Sequence, residues 1–225
     1  MVTGPDLIVF DVNETLSDMG PLSEAFAAEG APGHLARTWF AGILRDGFAV
    51  AAAGGNAAFA DIAQDSLTRL LSEHGLPAPG GSVERIMGAV KSLGVHPDVV
   101  PGIEALHRVA ELITLSNGAA QVAETLLEGA GIRGRFSQLL SVEDAPAWKP
   151  ARSAYAHAVQ RCGREPARML LVAVHPWDVH GAHHAGLRTA WLNRTGAEYP
   201  GYFAPPDLEA ADLPALAEQL ARPRG

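Results

Sequence analysis

The chain has 225 residues, 48% of them hydrophobic, which suits one α/β domain, or a core carrying a smaller insert. Its formal net charge of −8 and the absence of any basic stripe exclude nucleic acid as an expected partner. The single cysteine, Cys162, excludes an internal disulfide and multi-cysteine zinc sites, and no apolar run is long enough for a leader or a membrane span, so a cytoplasmic protein is expected.

Leu7, Ile8, Val9 and Phe10 form a short apolar run that ends at Asp11, which predicts a buried parallel strand delivering a polar loop. A long stretch with helical periods follows. Leu35, Trp39, Ile43 and Leu44 predict a helix over 34–52, broken by Gly54 and Gly55. Phe59, Ile62, Leu67 and Leu71 predict another over 57–71. Residues 77–81 predict a loop, and Ser82 predicts the N-cap of a helix faced by Ile86, Val90 and Leu93. From about Val99 the rhythm changes. Helices are predicted over 102–109, 120–127, 153–160, 181–185 and 213–220, and strands over 112–115, 138–142, 169–174 and 189–192.

Alternating strands and helices imply a doubly wound, Rossmann-like parallel sheet. The helical stretch then becomes a cap inserted after the first strand. The expected division is a core of residues 1–16 and 97–225 and a cap of residues 17–96. Ligands of open parallel sheets bind beyond the C-terminal ends of the strands. That rule selects Asp11, Ser116 with Asn117, and Asp178.

Each of these carries chemistry and also a plainer reading. An ionised Asp11 aimed at an electrophile is a nucleophile, and equally a turn cap. Ser116, Asn117 and Gly118 can bind an anion or form an ordinary turn. Lys149, before Pro150, can hold Asp11 ionised, although a lone lysine is usually solvated. His175 and Asp178 at one strand end make a candidate water-activating pair, or a packed turn residue and a helix cap.

The order of these features resembles the haloacid dehalogenase superfamily across nearly the whole chain, and within it the L-2-haloacid dehalogenases (type II). The matching pieces are Phe10, Asp11, Thr15 and Leu16; Leu115 to Gly118; Lys149 and Pro150 with Tyr155 downstream; Trp177 and Asp178 followed by Gly181; and Trp191 to Arg194. The phosphatases of this superfamily carry a second acid two residues after the nucleophile. Here that position is Asn13, whose amide is no general acid. A site with Asp178 beside His175, Pro176 and Trp177 also suits Mg²⁺ poorly, since that ion prefers an octahedron of oxygens. The phosphonate-hydrolysing branch needs a cap lysine, and the expected cap offers only Lys91, near its far end.

The resemblance implies a mechanism with no cofactor and no metal. Asp11 attacks C2 of an L-2-haloacid and displaces halide with inversion, and water then hydrolyses the enzyme ester to a 2-hydroxy acid. Lys149 and Thr15 orient Asp11, Ser116 with its neighbouring N–H groups holds the substrate carboxylate, and Asp178 positions or activates water. Arg37, in the first cap helix, and Asn117 receive the halide. Trp39, Phe40, Phe59 and Trp177 are expected as pocket walls, and Asn13 and Tyr155 as further substrate contacts. A small 2-haloacid is the expected partner, membranes are not, and a homodimer is the assembly the resemblance suggests.

The chain departs from the type II pattern at Asn13, where an aromatic Tyr is usual, at Glu14, where Gly is usual, and at Ala173 and His175, where Ser and Asn are usual. These changes assign His175 a share in water activation and point to a different pocket. They also keep two other readings in view, a Mg²⁺-dependent phosphatase and a non-catalytic or other-substrate relative of the same fold.

Overall fold

The computed structural model describes residues 4–76 and 81–222. The sheet is six-stranded and its neighbouring strands run parallel, in the order β3-β2-β1-β4-β5-β6. The strands are β1 (Leu7–Phe10), β2 (Glu111–Ser116), β3 (Gln138–Ser141), β4 (Met169–Ala173), β5 (Arg188–Leu192) and β6 (Leu208–Ala210). The helices are α1 (Leu22–Ala28), α2 (Leu35–Ala52), α3 (Phe59–Glu73), α4 (Ser82–Lys91), α5 (Val99–Leu106), α6 (Ala120–Gly129), α7 (Arg152–Cys162), α8 (Pro176–His184) and α9 (Leu213–Ala221).

The central strand β1 is buried on both faces, which is why its four residues read as an unbroken apolar run. Ile8 and Phe10 face α5, α6 and α9, together with Ile103, Leu127 and Leu213. Leu7 and Val9 face the opposite layer, whose apolar cluster runs from Tyr155 and Val179 into Trp39, Phe40 and Ile43 of α2. Strand order reverses at β1, between β2 on one side and β4 on the other, so the loops after these strands converge at one point.

Helices α1 to α4 lie between β1 and α5 in the chain and add no strand to the sheet. The segment leaves and re-enters beside itself. Ser17 and Val95 form an antiparallel bridge, Asp18 N donates to Gly94 O at 2.9 Å, and His96 N donates to Leu16 O at 3.0 Å.

Most predicted elements are present, with shifted ends. The exceptions have local causes. Helix α1 and strand β6 were not expected, being only seven and three residues long. Helix α8 starts at Pro176 rather than at 181, with proline in its first turn, where the missing N–H is unneeded. Ser82 is not the N-cap; that position is Gly81 at φ 83°, and the Ser82 hydroxyl donates to Glu29 Oε2 at 2.7 Å. Of the predicted loop 77–81, residues 77–80 lie outside the described residues.

Candidate active site

The ends of β1, β2 and β4 and the loop before α7 bring Asp11, Ser116, Asn117, Lys149, His175 and Asp178 together, all of them buried. Lys149 is at the centre. Its side chain is 0% exposed, and its ammonium donates to Asp11 Oδ1 at 2.8 Å and to Asp178 Oδ2 at 2.6 Å. A buried cation between two carboxylates is tolerated because each charge has a partner. Burial alone would lower the Lys149 ammonium, but the Asp11 and Asp178 charges raise it, so it stays charged.

The Asp11 carboxylate is saturated with donors. Thr15 Oγ1 donates to Oδ2 at 2.7 Å, and His175 Nδ1 lies 3.1 Å from the same oxygen. Burial would raise the Asp11 carboxyl, but the Lys149 charge and the His175 contact hold it well below the usual carboxylate range. Thr15 is itself fixed, accepting from Val174 N at 3.1 Å. The group is therefore ionised and oriented, and the turn-cap reading does not account for three side-chain donors on one buried carboxylate.

Asp178 is buried to 0% and has both oxygens engaged, one by Lys149 and the other by the Tyr155 hydroxyl at 2.6 Å. Burial pushes its carboxyl up, while Lys149 opposes this. Burial and the Asp178 charge keep the Tyr155 phenol protonated, hence a permanent donor. Tyr155, expected as a substrate contact, is buried with its hydroxyl on Asp178. The Asn117 amide is likewise engaged. It accepts from Lys149 N at 2.9 Å and donates to Lys149 O at 3.2 Å, clamping the loop whose Lys149–Pro150 peptide is cis. Ser116 Oγ accepts from Gly118 N at 2.9 Å, which leaves its own hydroxyl hydrogen for another partner.

Arg37 is not brought to the carboxylates. It is exposed on α2, whose buried face is Leu35, Ala36, Trp39, Phe40, Ile43 and Gly47. Its guanidinium is solvated there, the usual state of an arginine.

His175 takes the place beside Asp11. Its ring stacks on Trp177 at 4.9 Å and lies 6.3 Å from Phe40, and Nε2 is 2.9 Å from Glu14 Oε2. Burial would lower the imidazole, but its bonds to Asp11 and Glu14 push it up to about 9, making it an imidazolium at neutral pH. Sequence reasoning named His175 but gave Glu14 no role. Glu14 is a non-glycine residue at φ 59°, in the left-handed region. Its carbonyl accepts from His96 Nε2 at 2.9 Å and Arg194 Nη1 at 3.5 Å. Arg194 is anchored in turn by Asp98 at 2.9 Å. The available signal was the replacement of a habitual glycine by a carboxylate three residues after Asp11.

The cap supplies apolar walls. Phe40 lies 6.5 Å from Phe59, and Phe59 stacks on Trp148 at 5.8 Å. Trp39 is mostly a structural residue, since its indole N–H donates to Ala63 O at 2.9 Å, yet its ring also lines a pocket with Asn13, Phe40, Ile43 and Phe59. Trp177 sits against Phe48 at 5.0 Å, with the Lys149 ammonium 6.0 Å from its ring centre. Trp148, also without an expected role, donates from Nε1 to Ala57 O at 2.9 Å and ties cap to core.

Among the described residues, no group of three His, Cys, Asp or Glu side chains could hold a metal ion. The donor set also fits Mg²⁺ badly, because the oxygens of Asp178 already accept from Lys149 and Tyr155. No helix among the described residues is long and apolar enough to cross a membrane.

The chain is 29% identical to an (S)-2-haloacid dehalogenase of Pseudomonas sp. (strain YL), over 94% of this chain and 92% of that protein. It is 27% identical to haloacetate dehalogenase H-2 of Moraxella sp. (strain B), over 96% of this chain and 98% of that one. A solved L-2-haloacid dehalogenase superposes with a TM-score of 0.91 at 27% identity, covering 98% of this chain and 100% of its own. The family model for haloacid dehalogenase-like hydrolases matches residues 5–186, and the chain belongs to that family.

Proposed function

We propose that the protein hydrolyses the carbon–halogen bond of small L-2-haloacids through an ester on Asp11. The observation that carries this is the pairing of an ionised Asp11, 2.8 Å from the Lys149 ammonium, with Asn13 where a general acid would stand. A halide leaves as a stable anion, so displacement needs a nucleophile and no proton donor. A phosphate ester would need both.

The steps follow from the donors. Asp11 attacks C2, the carbon–halogen bond breaks, and C2 inverts. Ser116 and the N–H groups at the start of α6 hold the substrate carboxylate, and the aromatic walls keep water away from the carboxylate until the ester forms. Water then attacks Asp11 Cγ, and the 2-hydroxy acid departs. Asp178 has no free oxygen and is enclosed by Lys149 and Tyr155, so it positions Lys149. His175, whose Nδ1 is directed at the Asp11 carboxyl, activates the water, backed by Glu14. The reading divides the chain into a core and a cap at the Ser17–Val95 bridge. It also places the enzyme in the cytoplasm as a homodimer, an assembly that light scattering tests.

The functional test is halide release from L- and D-2-chloropropionate and from haloacetates in buffer with EDTA, beside Asp11→Asn. L-specific release that persists in EDTA and disappears in the variant is expected. A single turnover in H₂¹⁸O should place the label in Asp11, not directly in the product. Absence of release from every haloacid overturns the substrate class.

A further inference from the structure

The imidazole of His175 touches two carboxylates, and only one of them keeps its charge through the reaction proposed above. Nδ1 is 3.1 Å from Asp11 Oδ2, and Nε2 is 2.9 Å from Glu14 Oε2. With both nitrogens facing acceptors, the ring in the free enzyme is held as imidazolium. An imidazolium cannot take a proton from water. Yet the step that needs a base occurs only after Asp11 has become an ester, a neutral group.

We propose that the charge of Asp11 switches His175 between acid and base forms, with Glu14 as the positioning residue that holds Nε2–H in both. The inference rests on the Asp11-ester reading. In the free enzyme His175 is cationic and holds the nucleophile by a charged hydrogen bond. When Asp11 attacks C2 and halide leaves, the carboxylate charge is lost and Nδ1 no longer faces an anion. The His175 Nδ1 proton then leaves to solvent, while Nε2–H stays hydrogen-bonded to the Glu14 carboxylate. This is the proton that the overall hydrolysis releases. Neutral His175 then takes a proton at Nδ1 from the water attacking Asp11 Cγ. Collapse of the tetrahedral intermediate expels the 2-hydroxy acid oxygen, which keeps the second water proton, and restores the Asp11 carboxylate facing an imidazolium. One water enters, and one alcohol, one halide and one proton leave.

The surroundings of His175 leave this charge change to Asp11. The cap faces it with the Phe40 ring, and α8 faces it with Trp177. The charges beyond are in fixed pairs. Lys149 and Asp178 stand behind Asp11, and Arg194 with Asp98 stands behind Glu14. Glu14 itself is held in its left-handed conformation by the His96 and Arg194 contacts to its carbonyl, so its carboxylate is aimed rather than free. That conformation is unfavourable for a non-glycine residue by roughly 1–2 kcal/mol, and a role at His175 gives a reason for it.

The test is ¹⁵N-NMR titration of the His175 imidazole in the wild-type enzyme and in Asp11→Asn, which imitates the neutral ester. Both ring nitrogens should be protonated at pH 7.5 in the wild type. In Asp11→Asn the titration midpoint should fall by at least one pH unit. Equal midpoints overturn the proposal. Glu14→Gln should also lower the midpoint. In single-turnover experiments it should slow ester hydrolysis at least tenfold while ester formation stays within threefold, with partial recovery in Glu14→Asp. A merely structural Glu14 would slow both steps together and leave the midpoint in place, which also overturns it. The titrations need no substrate, so they remain informative if the haloacid assay fails.

Discussion

Tyr155 and Asp178 meet across α7 and α8 at 2.6 Å, with the phenol donating to Oδ1 while its oxygen also lies 3.1 Å from the Asp178 carbonyl. The contact fixes the carboxylate that in turn fixes Lys149. Tyr155→Phe removes the donor and leaves a buried carboxylate oxygen with no partner. We expect a stability loss of about 1–3 kcal/mol and a fall in kcat, read by urea denaturation and steady-state halide release. Unchanged values for both would separate Tyr155 from the site.

Lys149→Met strips two buried carboxylates of their shared cation. A loss of roughly 3–5 kcal/mol is expected, and turnover should fall below detection. Lys149→Arg should not restore it, because a planar fork cannot take the place of a point charge enclosed between Asp11 and Asp178. Denaturation curves on all three proteins, with halide assays beside them, check this.

The pH dependence of stability has a definite sign. The folded state pushes His175 up to about 9, from about 6.5. Its contribution is therefore complete below about pH 6.5 and is lost as pH rises through about 9. Asp11 works in the opposite sense. Held well below the usual carboxylate range, it contributes above the unfolded carboxyl value of about 3.9 and loses that contribution as pH falls below it. The urea midpoint should decline from pH 7 to pH 9.5 in the wild type and decline less in His175→Gln. Parallel declines in the two proteins would count against the assignment.

Two glycines carry close approaches that a methyl group would close. A Cβ at Gly181 would lie 2.6 Å from the Tyr155 hydroxyl and 2.9 Å from Pro150 O. A Cβ at Gly47 would lie 2.3 Å from the Trp148 ring. Gly181→Ala should shift Tyr155 and the Lys149 loop, lowering both stability, by about 1–3 kcal/mol, and kcat. Gly47→Ala should change the fit of α2 on Trp148, raising KM for haloacid more than it lowers kcat. Thermal melts and kinetics distinguish the two.

The sheet and the buried Asp11 at its strand end were legible because burial on both faces leaves a plain mark, an apolar run that stops at a polar residue. That mark exposed β1 with Asp11 and β4 with the His175 to Asp178 turn. Lys149 was legible through Pro150 and its place in the chain order. Tyr155 was found, but its contact with Asp178 was not, since a phenol in an otherwise weakly amphipathic helix carries no sign of which neighbouring side chain it meets. Arg37 shows the converse limit. Helical periodicity put it one residue beyond the buried Ala36, and rotation about the α2 axis, rather than sequence neighbourhood, decides which side chains reach the site. Glu14 was unreadable as a partner of His175 because the two are separated by more than 160 positions and are joined only by the β1–β4 pairing.

The bridge between Ser17 and Val95 has an evolutionary consequence. Because the inserted helices depart and return at a single doorway, they can lengthen, shorten or be exchanged while every strand keeps its register. Selection can therefore remodel the vestibule through which a molecule approaches while the reacting groups stay where the sheet has put them, so that new diets and old chemistry can evolve on separate clocks.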